Sequence, residues 1–404
     1  MIENPAAWRK THIPMHTITR SIVWSGLILT SAALPAAAAF YGDPPDATHP
    51  WAIHDENRPQ PARVEPGRPG NQNQAGKPPS DAIILFDGTP ESLKKWTSDK
   101  NPGEPTKWII QDGAFQCEPG SGYVRTVAEW GDCQLHVEWT APVKVEGNSQ
   151  GRGNSGIYLM GRTEVQVLDN YNNPTYADGF AGSIYGVNPP LVNALRAPGE
   201  WQVYDIVFRR PVYKEGKQIE TGYLTVFVNG VLVQDHTPME GGGGHKGRSK
   251  DRPFPAKGPL QLQDHGNPVR YRNIWYRPLP ARASEGGDVS HMSEAATTAK
   301  RQSLAKEIRE DAAKKEGPAK MLRMMESLTY APDASALADS TKMSAEFLTS
   351  VKDLAGDQLE AKKGQIRQVF TALEYCSKHK VLAGALPEQA ALADIIEKAG
   401  WNKK

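Results

Sequence analysis

The sequence has little cysteine, and no cysteine lies in a nucleophile motif. Only three are present among its 404 residues, at Cys117, Cys133 and Cys376. None stands beside a histidine in a recognisable nucleophile setting, so a catalytic cysteine is not expected. Cys117 and Cys133 lie on neighbouring predicted strands and could form a disulfide in an oxidising compartment, which would leave Cys376, in a helical region, as an odd thiol.

The sequence also lacks an excess of charge of either sign. Its 47 lysines and arginines nearly balance 46 aspartates and glutamates, which gives a net charge of +1. This balance provides no electrostatic reason to bind nucleic acid or an anionic membrane, so no nucleic-acid partner is expected. The basic residues at 245–252 follow four glycines and are interpreted as a solvated loop. Because the glycines at 241–244 do not join a strand to a helix, a nucleotide-phosphate site is excluded.

A long apolar run is missing as well. The apolar run at 22–34 is too short for a stable membrane span, but Arg20 precedes it and three alanines at 37–39 follow it as a cleavage site. These features predict a signal peptide over residues 1–39, with an uncleaved anchor as the alternative. The protein is therefore expected to be periplasmic or secreted, with no stable membrane span after cleavage.

Composition divides the remaining chain into four segments. Residues 40–80 are rich in Pro, Gly, Asn and Gln, which predicts an exposed linker. Residues 81–280 contain short strand-like segments, and the turn residues Asp112-Gly113 and Asn229-Gly230 are typical of hairpins, so an antiparallel sandwich is predicted. A polar linker at 281–299 leads to an all-helical domain at 300–404. The apolar spacing of that domain predicts five helices, at 304–315, 319–328, 344–354, 365–379 and 388–399.

Three segments of the predicted sandwich alternate apolar and polar residues with a period of two, at 154–160, 164–170 and 258–277. A strand with this pattern has two different faces. In the last segment Leu260 and Leu262 are predicted to enter a core, and the polar residues between and after them are predicted to line an open face. Such a row of polar side chains favours a functional surface.

These three segments carry a family resemblance, together with 198–208, 225–235 and Ile84-Leu-Phe-Asp-Gly88 followed by Trp96. The chain resembles the 3-keto-disaccharide hydrolase domain family over roughly residues 81–279, and several ordered motifs are more specific than one short pattern. The resemblance implies a mainly β fold, a concanavalin-like jelly-roll sandwich whose curved sheet forms a groove, here followed by a small all-α C-terminal domain. It also implies a carbohydrate substrate.

The resemblance further implies cleavage of 3-keto-glycosides such as 3-keto-disaccharides. The ketone acidifies the C2 hydrogen, so a base removes that proton, the anomeric substituent leaves by elimination, and water adds to the product. Two alternatives remain open. One is a noncatalytic carbohydrate-binding module, and the other is a conventional glycosidase, whose retaining mechanism needs two carboxyl groups about 5 Å apart.

This chemistry needs a base, an acid and contacts for the enolate oxygen. His265 is the predicted base and Glu164 the predicted acid or second base, while Tyr158 would donate a proton or stack on a sugar. The residues predicted to bind substrate are Asn154, Gln166, Gln263, Asp264 and Asp169. The structural alternatives are a turn cap for His265, an ion pair with Arg162 or Arg270 for Glu164, and loop fixation for Asp169.

No cofactor is assigned from the sequence, although a divalent metal is considered. His136 and Glu138 stand two residues apart on one predicted strand face and could bind such an ion together with Asp264 or His265. The alternative for His136 and Glu138 is an outward-facing polar position. The sequence identifies no protein partner.

Overall fold

The structure, a computed structural model, describes five stretches of the chain: 40–239, 244–247, 253–287, 292–382 and 386–402. The signal peptide predicted for 1–39 and most of the basic loop at 245–252 lie outside the described residues. The chain divides into a β unit, Arg58–Thr297, and a helical unit that combines residues up to Asn57 with those from Thr298 onward. Within the described residues, no helix has the length and apolar character needed to cross a membrane.

The β unit is built from antiparallel strands. In chain order they are β1 (Ile83–Phe86), β2 (Trp96–Ser98), β3 (Ile109–Gln111), β4 (Ala114–Gln116), β5 (Val124–Thr126), β6 (Cys133–Thr140), β7 (Ser155–Leu159), β8 (Thr163–Val167), β9 (Gln202–Arg209), β10 (Val212–Lys214), β11 (Lys217–Glu220), β12 (Tyr223–Val228), β13 (Val231–Pro238), β14 (Gln261–Leu262) and β15 (Arg270–Pro278). An eight-stranded sheet has the order β13-β12-β9-β6-β15-β4-β3, with β1 also paired to β15. A five-stranded sheet has the order β2-β5-β14-β7-β8, and β10 and β11 form a separate pair. This architecture confirms the predicted mainly β sandwich.

The core lies between the two large sheets. Val165 of β8 belongs to the same buried apolar cluster as Trp139 of β6 and Tyr204 of β9. The rings of Trp139 and Tyr204 pack edge to face, with centroids 5.6 Å apart. The hydroxyl of Tyr204 donates a hydrogen bond of 2.8 Å to the backbone carbonyl of Gln166, which fixes β8 against the opposite sheet.

Local sequence signals in the sandwich are confirmed. Asp112-Gly113 and Asn229-Gly230 adopt positive φ at both residues, with values of 51° and 71° for the first pair and 53° and 81° for the second. They connect β3 to β4 and β12 to β13 as hairpins. Leu260 and Leu262 are buried, as their alternation predicted. The disulfide considered between two strand cysteines is not formed, because all three cysteines are free and buried.

The helical unit consists mostly of α-helices. In chain order the α-helices are α1 (Pro90–Leu93), a single turn in the β unit, then α2 (Glu294–Ala312), α3 (Gly317–Tyr330), α4 (Ala334–Val351), α5 (Gly356–Lys378) and α6 (Pro387–Lys398). The five predicted helices are all present. Helix α2 begins within the predicted linker at 281–299, because the alanine-rich stretch at 294–299 favours helix and extends α2 towards the N-terminus.

The predicted exposed linker at 40–80 is also corrected in part. Phe40 and Trp51 are buried within the helical unit, and Phe40 packs edge to face on Tyr375 with ring centroids 5.8 Å apart. In the β unit, the backbone N–H of Gly76 donates to the Glu138 carboxylate on β6. Isolated residues anchor this segment, and they form no helical or strand period. Composition alone therefore could not reveal its contacts.

Candidate functional site

A polar pocket of about 310 Å³ is formed on the five-stranded sheet. The described residues that line it are Tyr123, Gln150, Asn154, Tyr158, Glu164, Gln166, Tyr185, Gly244, His245, Gln263 and His265. Six of these were expected on one face from strand alternation: Asn154, Tyr158, Glu164, Gln166, Gln263 and His265. The structure therefore brings the predicted groove residues together. Hydroxyl, amide, imidazole and carboxyl groups dominate the lining, and these are groups that bind sugar hydroxyls.

The pairing of β7 with β8 positions the centre of the pocket. Tyr158 lies directly opposite Glu164, and Gly156 lies opposite Gln166. The two strands are joined by a tight turn in which Met160 and Gly161 both have positive φ, at 54° and 63°. Because side chains alternate between faces, this register puts Tyr158, Glu164 and Gln166 on the open face while their neighbours enter the core.

Glu164 is held in a confined position. A side chain at Gly156 would place its Cβ only 2.1 Å from Oε1 of Glu164, so the absence of a side chain there makes room for the carboxyl group. The hydroxyl of Tyr158 donates to Oε2 of Glu164 at 2.8 Å. Burial, which leaves Glu164 9% exposed, disfavours its charged form and raises its pKa to about 7, although the hydrogen bond from Tyr158 opposes this shift. The carboxyl group can therefore exchange a proton near neutral pH.

Gln263 extends the hydrogen-bond network across the pocket. Its Nε2 donates to the hydroxyl of Tyr123 at 2.8 Å and to that of Tyr158 at 3.1 Å. The Tyr158 hydroxyl therefore accepts a hydrogen bond from Gln263 and donates one to Glu164, and the two contacts fix its orientation. Tyr123 accepts from Gln263 and retains its own O–H, which can donate to a ligand.

A second set of amides is oriented by Gln150. Its Oε1 accepts a hydrogen bond of 2.9 Å from Nε2 of Gln166, and its backbone carbonyl accepts one of 2.7 Å from Nδ2 of Asn154. Within the described part of the chain, Oδ1 of Asn154 and Oε1 of Gln263 are buried acceptors without a partner. Buried acceptors normally have donors, so these two oxygens are suited to the hydroxyl groups of a ligand.

His265 lies at the exposed side of the pocket, just after β14. The preceding Asp264 accepts hydrogen bonds from the backbone N–H of Gly266 at 2.9 Å and of Gly122 at 2.8 Å. Asp264, predicted to bind substrate, is therefore not among the described lining residues, because its carboxylate holds the turn that carries His265. The turn is thus stabilised by Asp264 and not by His265, whose imidazole borders the pocket.

Asp169 is the second predicted substrate-binding residue that the described pocket lining does not include. Strand β8 ends at Val167, so the alternation does not continue to Asp169. Its carboxylate forms an ion pair with Arg152 at 2.7 Å and is only 4% exposed. It also accepts a hydrogen bond from the backbone N–H of Tyr171. Loop fixation, the structural alternative for Asp169, is what the contacts support.

The metal site considered for His136 and Glu138 is not formed. Both residues lie on β6 of the eight-stranded sheet, whereas Asp264 and His265 follow β14 of the five-stranded sheet. Nδ1 of His136 contacts Asp205 at 2.7 Å, and Glu138 forms an ion pair with Arg272 at 2.6 Å. Across the described residues, no three His, Cys, Asp or Glu side chains converge as metal ligands. Both side chains lie on the face of β6 opposite the core residues Leu135 and Val137, as the outward-facing alternative predicted, but other segments cover this face and bury them.

Several pocket residues were not predicted. They are Tyr123, Gln150, Tyr185, Gly244 and His245. Tyr185 and His245 lie in loops and Gln150 in a single 3₁₀ turn, Ser149–Gly151, where no periodicity signals the direction of a side chain. The hydroxyl of Tyr185 contacts Nδ1 of His245 at 3.3 Å. Tyr123 directly precedes β5, a short strand without a polar row, so only the pairing of β5 with β14 brings it to the pocket.

The fold is a jelly-roll sandwich with a polar pocket, and the comparisons that follow place it among carbohydrate-active proteins. Residues 81–277 match the 3-keto-alpha-glucoside-1,2-lyase-like domain family, and the chain belongs to this family through that domain. This match confirms the resemblance drawn from its strand motifs.

The chain is similar to several solved structures. A proposed glycosyl hydrolase from Parabacteroides distasonis is 43% identical over 56% of this chain and 94% of its own, with a TM-score of 0.51. A second proposed glycosyl hydrolase from the same organism is 19% identical over 49% of this chain and 94% of its own, with a TM-score of 0.36. The carbohydrate-binding module CBM66 from Bacillus subtilis is 12% identical over 45% and 93%, with a TM-score of 0.25. The last two likenesses are too weak to carry any inference about function. No curated protein matches the chain.

Proposed function

We propose that this protein is exported and cleaves 3-keto-glycosides by proton abstraction at C2, elimination of the anomeric substituent, and hydration. The family assignment supports a carbohydrate substrate. The observation that carries the proposed reaction is Glu164, a buried carboxyl group whose pKa is raised to about 7, in one pocket with the imidazole of His265. A carboxyl group that can exchange its proton near neutral pH, in one pocket with an imidazole, suits general acid–base catalysis.

In the proposed mechanism, the imidazole of His265 removes the C2 proton next to the ketone. The electron pair shifts to the C3 oxygen and then returns to expel the anomeric oxygen, to which Glu164 delivers its proton. The O–H of Tyr123 is available to stabilise the developing enolate oxygen. Water then adds at C1 and a proton returns to C2, so the net change is hydrolysis.

The contacts favour this reaction over a conventional two-carboxylate glycosidase. Within the described lining of the pocket, Glu164 supplies the single carboxyl group. Asp169 is paired with Arg152, and Asp264 accepts backbone hydrogen bonds in its turn. A retaining glycosidase needs a second carboxyl group about 5 Å across the anomeric carbon.

A direct test is to compare a 3-keto-disaccharide with the same disaccharide before oxidation. We expect turnover of the oxidised substrate alone, because only the ketone acidifies the C2 hydrogen. Cleavage of both substrates at similar rates would contradict the proposed elimination and favour a conventional glycosidase. Binding without cleavage of either would favour a carbohydrate-binding module.

The role of His265 is tested by exchange of the C2 hydrogen with deuterium from the solvent. The variant His265→Gln keeps hydrogen-bonding capacity but loses basicity, so it should exchange and turn over about 10²- to 10⁴-fold more slowly. His236→Gln is the matched control, since His236 is an exposed histidine on β13 of the other sheet. If His265→Gln exchanges the C2 hydrogen as fast as the parent, the base is another residue and Glu164 is the next to test.

A further inference from the structure

Two tyrosines form an aromatic surface beside the pocket, defined here as the Tyr176–Tyr185 surface. Tyr185 lines the pocket, and its hydroxyl lies 2.8 Å from that of Tyr176. The two rings meet edge to face, with centroids 6.3 Å apart. Tyr176 remains 42% exposed although its hydroxyl is hydrogen-bonded. Its exposed area is thus available to a ligand.

The ring of Tyr176 is held in place by its backbone surroundings. A side chain at Gly179 would place its Cβ 2.2 Å from Cε2 of Tyr176, so the ring lies directly against this glycine. The carbonyl of Gly179 accepts a hydrogen bond of 3.0 Å from Nε2 of Gln150, which itself lines the pocket. Gly179 therefore contacts both the ring of Tyr176 and the side chain of Gln150, which orients the pocket amides.

A fixed aromatic ring binds other rings at a low entropic cost. Tyrosine supplies a large apolar face with only two side-chain torsions. In Tyr176 the hydroxyl contact with Tyr185 and the contact of the ring with Gly179 already restrict these torsions. Such a face stacks on the apolar face of a sugar ring or on a planar aryl group. It offers much less contact area to a small alkyl group.

The position of Tyr185 indicates which part of a substrate would reach this surface. The backbone N–H of Tyr185 donates to the carbonyl of Glu164 at 3.1 Å, so the two residues are neighbours. In the proposed function Glu164 protonates the departing oxygen, and the departing group must then lie beside Glu164. The pocket, at about 310 Å³, is near the lower end of the range for ligand sites, so a second ring would extend out of it.

We propose that the Tyr176–Tyr185 surface is the subsite for the leaving group and that it selects leaving groups that are rings, either a second sugar or an aryl group. This inference rests on the proposed function for its assignment of Glu164. It adds the substrate class: glycosides whose aglycone is cyclic are preferred over simple alkyl glycosides.

The test compares Tyr176→Ala and Tyr176→Phe on the 3-keto derivatives of phenyl glucoside, a glucose disaccharide and methyl glucoside. We expect Tyr176→Ala to lower kcat/KM by about two- to tenfold for the phenyl and disaccharide substrates, mainly through KM, and to leave methyl glucoside unchanged. Tyr176→Phe keeps the stacking face and should resemble the parent. The matched control is Tyr171→Ala, because Tyr171 lies in the same loop and is 38% exposed.

An affinity measurement keeps the subsite separable from the reaction. The unoxidised phenyl and methyl glucosides are titrated against parent and variants by NMR, and Tyr176→Ala should weaken the binding of phenyl glucoside alone. An equal loss for both ligands, or no loss for either, overturns the subsite even if the 3-keto substrates are cleaved. A selective loss of affinity in a protein that cleaves no 3-keto-glycoside would overturn the proposed reaction and leave the subsite supported.

Discussion

Two buried glutamates on opposite sheets of the sandwich have opposite electrostatic surroundings. Glu138 on β6 is 1% exposed and Glu164 on β8 is 9% exposed. Burial opposes ionisation of both, yet the pKa of Glu138 is lowered to about 2 whereas that of Glu164 is raised to about 7. Partners, not depth, therefore decide the charge of each group.

Glu138 has several donors and charges around it. Burial raises the pKa of Glu138, but the nearby His136, hydrogen bonds from the backbone of Gly76 and from Asn273, and the hydrogen-bonded charge of Arg272 outweigh it. Burial also disfavours the charged form of His136, but the hydrogen bond that it donates to Asp205 and the negative charges of Asp205 and Glu138 raise its pKa to about 9. The cluster is thus an ionised network at neutral pH.

Glu164 receives one hydrogen bond, from Tyr158, and this bond does not offset the effect of burial on its pKa. A buried carboxyl group with compensating charges stabilises the fold, while one held near its titration point is a candidate for acid–base chemistry. Both sites contain a histidine and a glutamate, so residue types alone do not distinguish them.

The largest expected effect separates the two glutamates by turnover. Glu164→Gln should lower kcat on a 3-keto-glycoside by about 10²- to 10⁴-fold, because glutamine cannot deliver a proton. Glu138→Gln, assayed where it remains folded, should retain kcat within a few-fold of the parent. Comparable losses in the two variants would show that Glu164 acts through the fold and not through proton transfer.

The second effect is on stability, and its sign should differ between the two positions. The pKa of Glu138 is about 2 in the folded state and 4.5 otherwise, so its carboxylate stabilises the fold above pH 4.5, and this contribution is lost as the pH falls towards 2. Glu138→Gln should therefore lower the free energy of unfolding at pH 8 by roughly 3 kcal/mol. The pKa of Glu164 is raised from 4.5 to about 7, so its contribution becomes less favourable as the pH rises through this interval.

Accordingly, Glu164→Gln should raise the free energy of unfolding at pH 8 by roughly 1–3 kcal/mol. Urea unfolding at pH 4 and pH 8 measures both changes, and the gain from Glu164→Gln should shrink at pH 4, where the parent carboxyl group is protonated. If Glu164→Gln is instead less stable than the parent at pH 8, burial does not raise the pKa of Glu164 in the folded protein.

The smallest effect is a shift in the pH profile. If Glu164 is the acid, kcat should fall as the pH rises through about 7, because the protonated form is lost. The hydrogen bond from Tyr158 lowers the pKa of Glu164, so Tyr158→Phe should move this decline to higher pH. Tyr123→Phe, whose hydroxyl bonds to Gln263 and not to Glu164, should leave the position of the decline unchanged. A decline that stays at the same pH in Tyr158→Phe would show that a group other than Glu164 supplies the proton.

Alternation and turn residues predicted much of the architecture. The hairpins at Asp112-Gly113 and Asn229-Gly230, the buried Leu260 and Leu262, and the five C-terminal helices follow from local rules of period and turn chemistry. The same period placed six polar side chains on one face. The substrate contact expected for Asp169 did not rest on this alternation, and it was wrong because the carboxylate pairs with Arg152. The alternation placed His136 and Glu138 on one face of β6, but it could not show that residues from other segments cover that face.

The sequence by itself determined which side of each strand faces the core, since a period of two fixes side-chain direction once a segment is a strand. Only the tertiary structure decided which polar rows share a pocket, because that depends on β14 pairing with β5 and β7, strands more than 95 residues earlier in the chain. It also decided that Glu138 is ionised and that Glu164 titrates near pH 7. Local sequence cannot encode those charges, because they arise from partners that the fold brings together and from the water that it excludes.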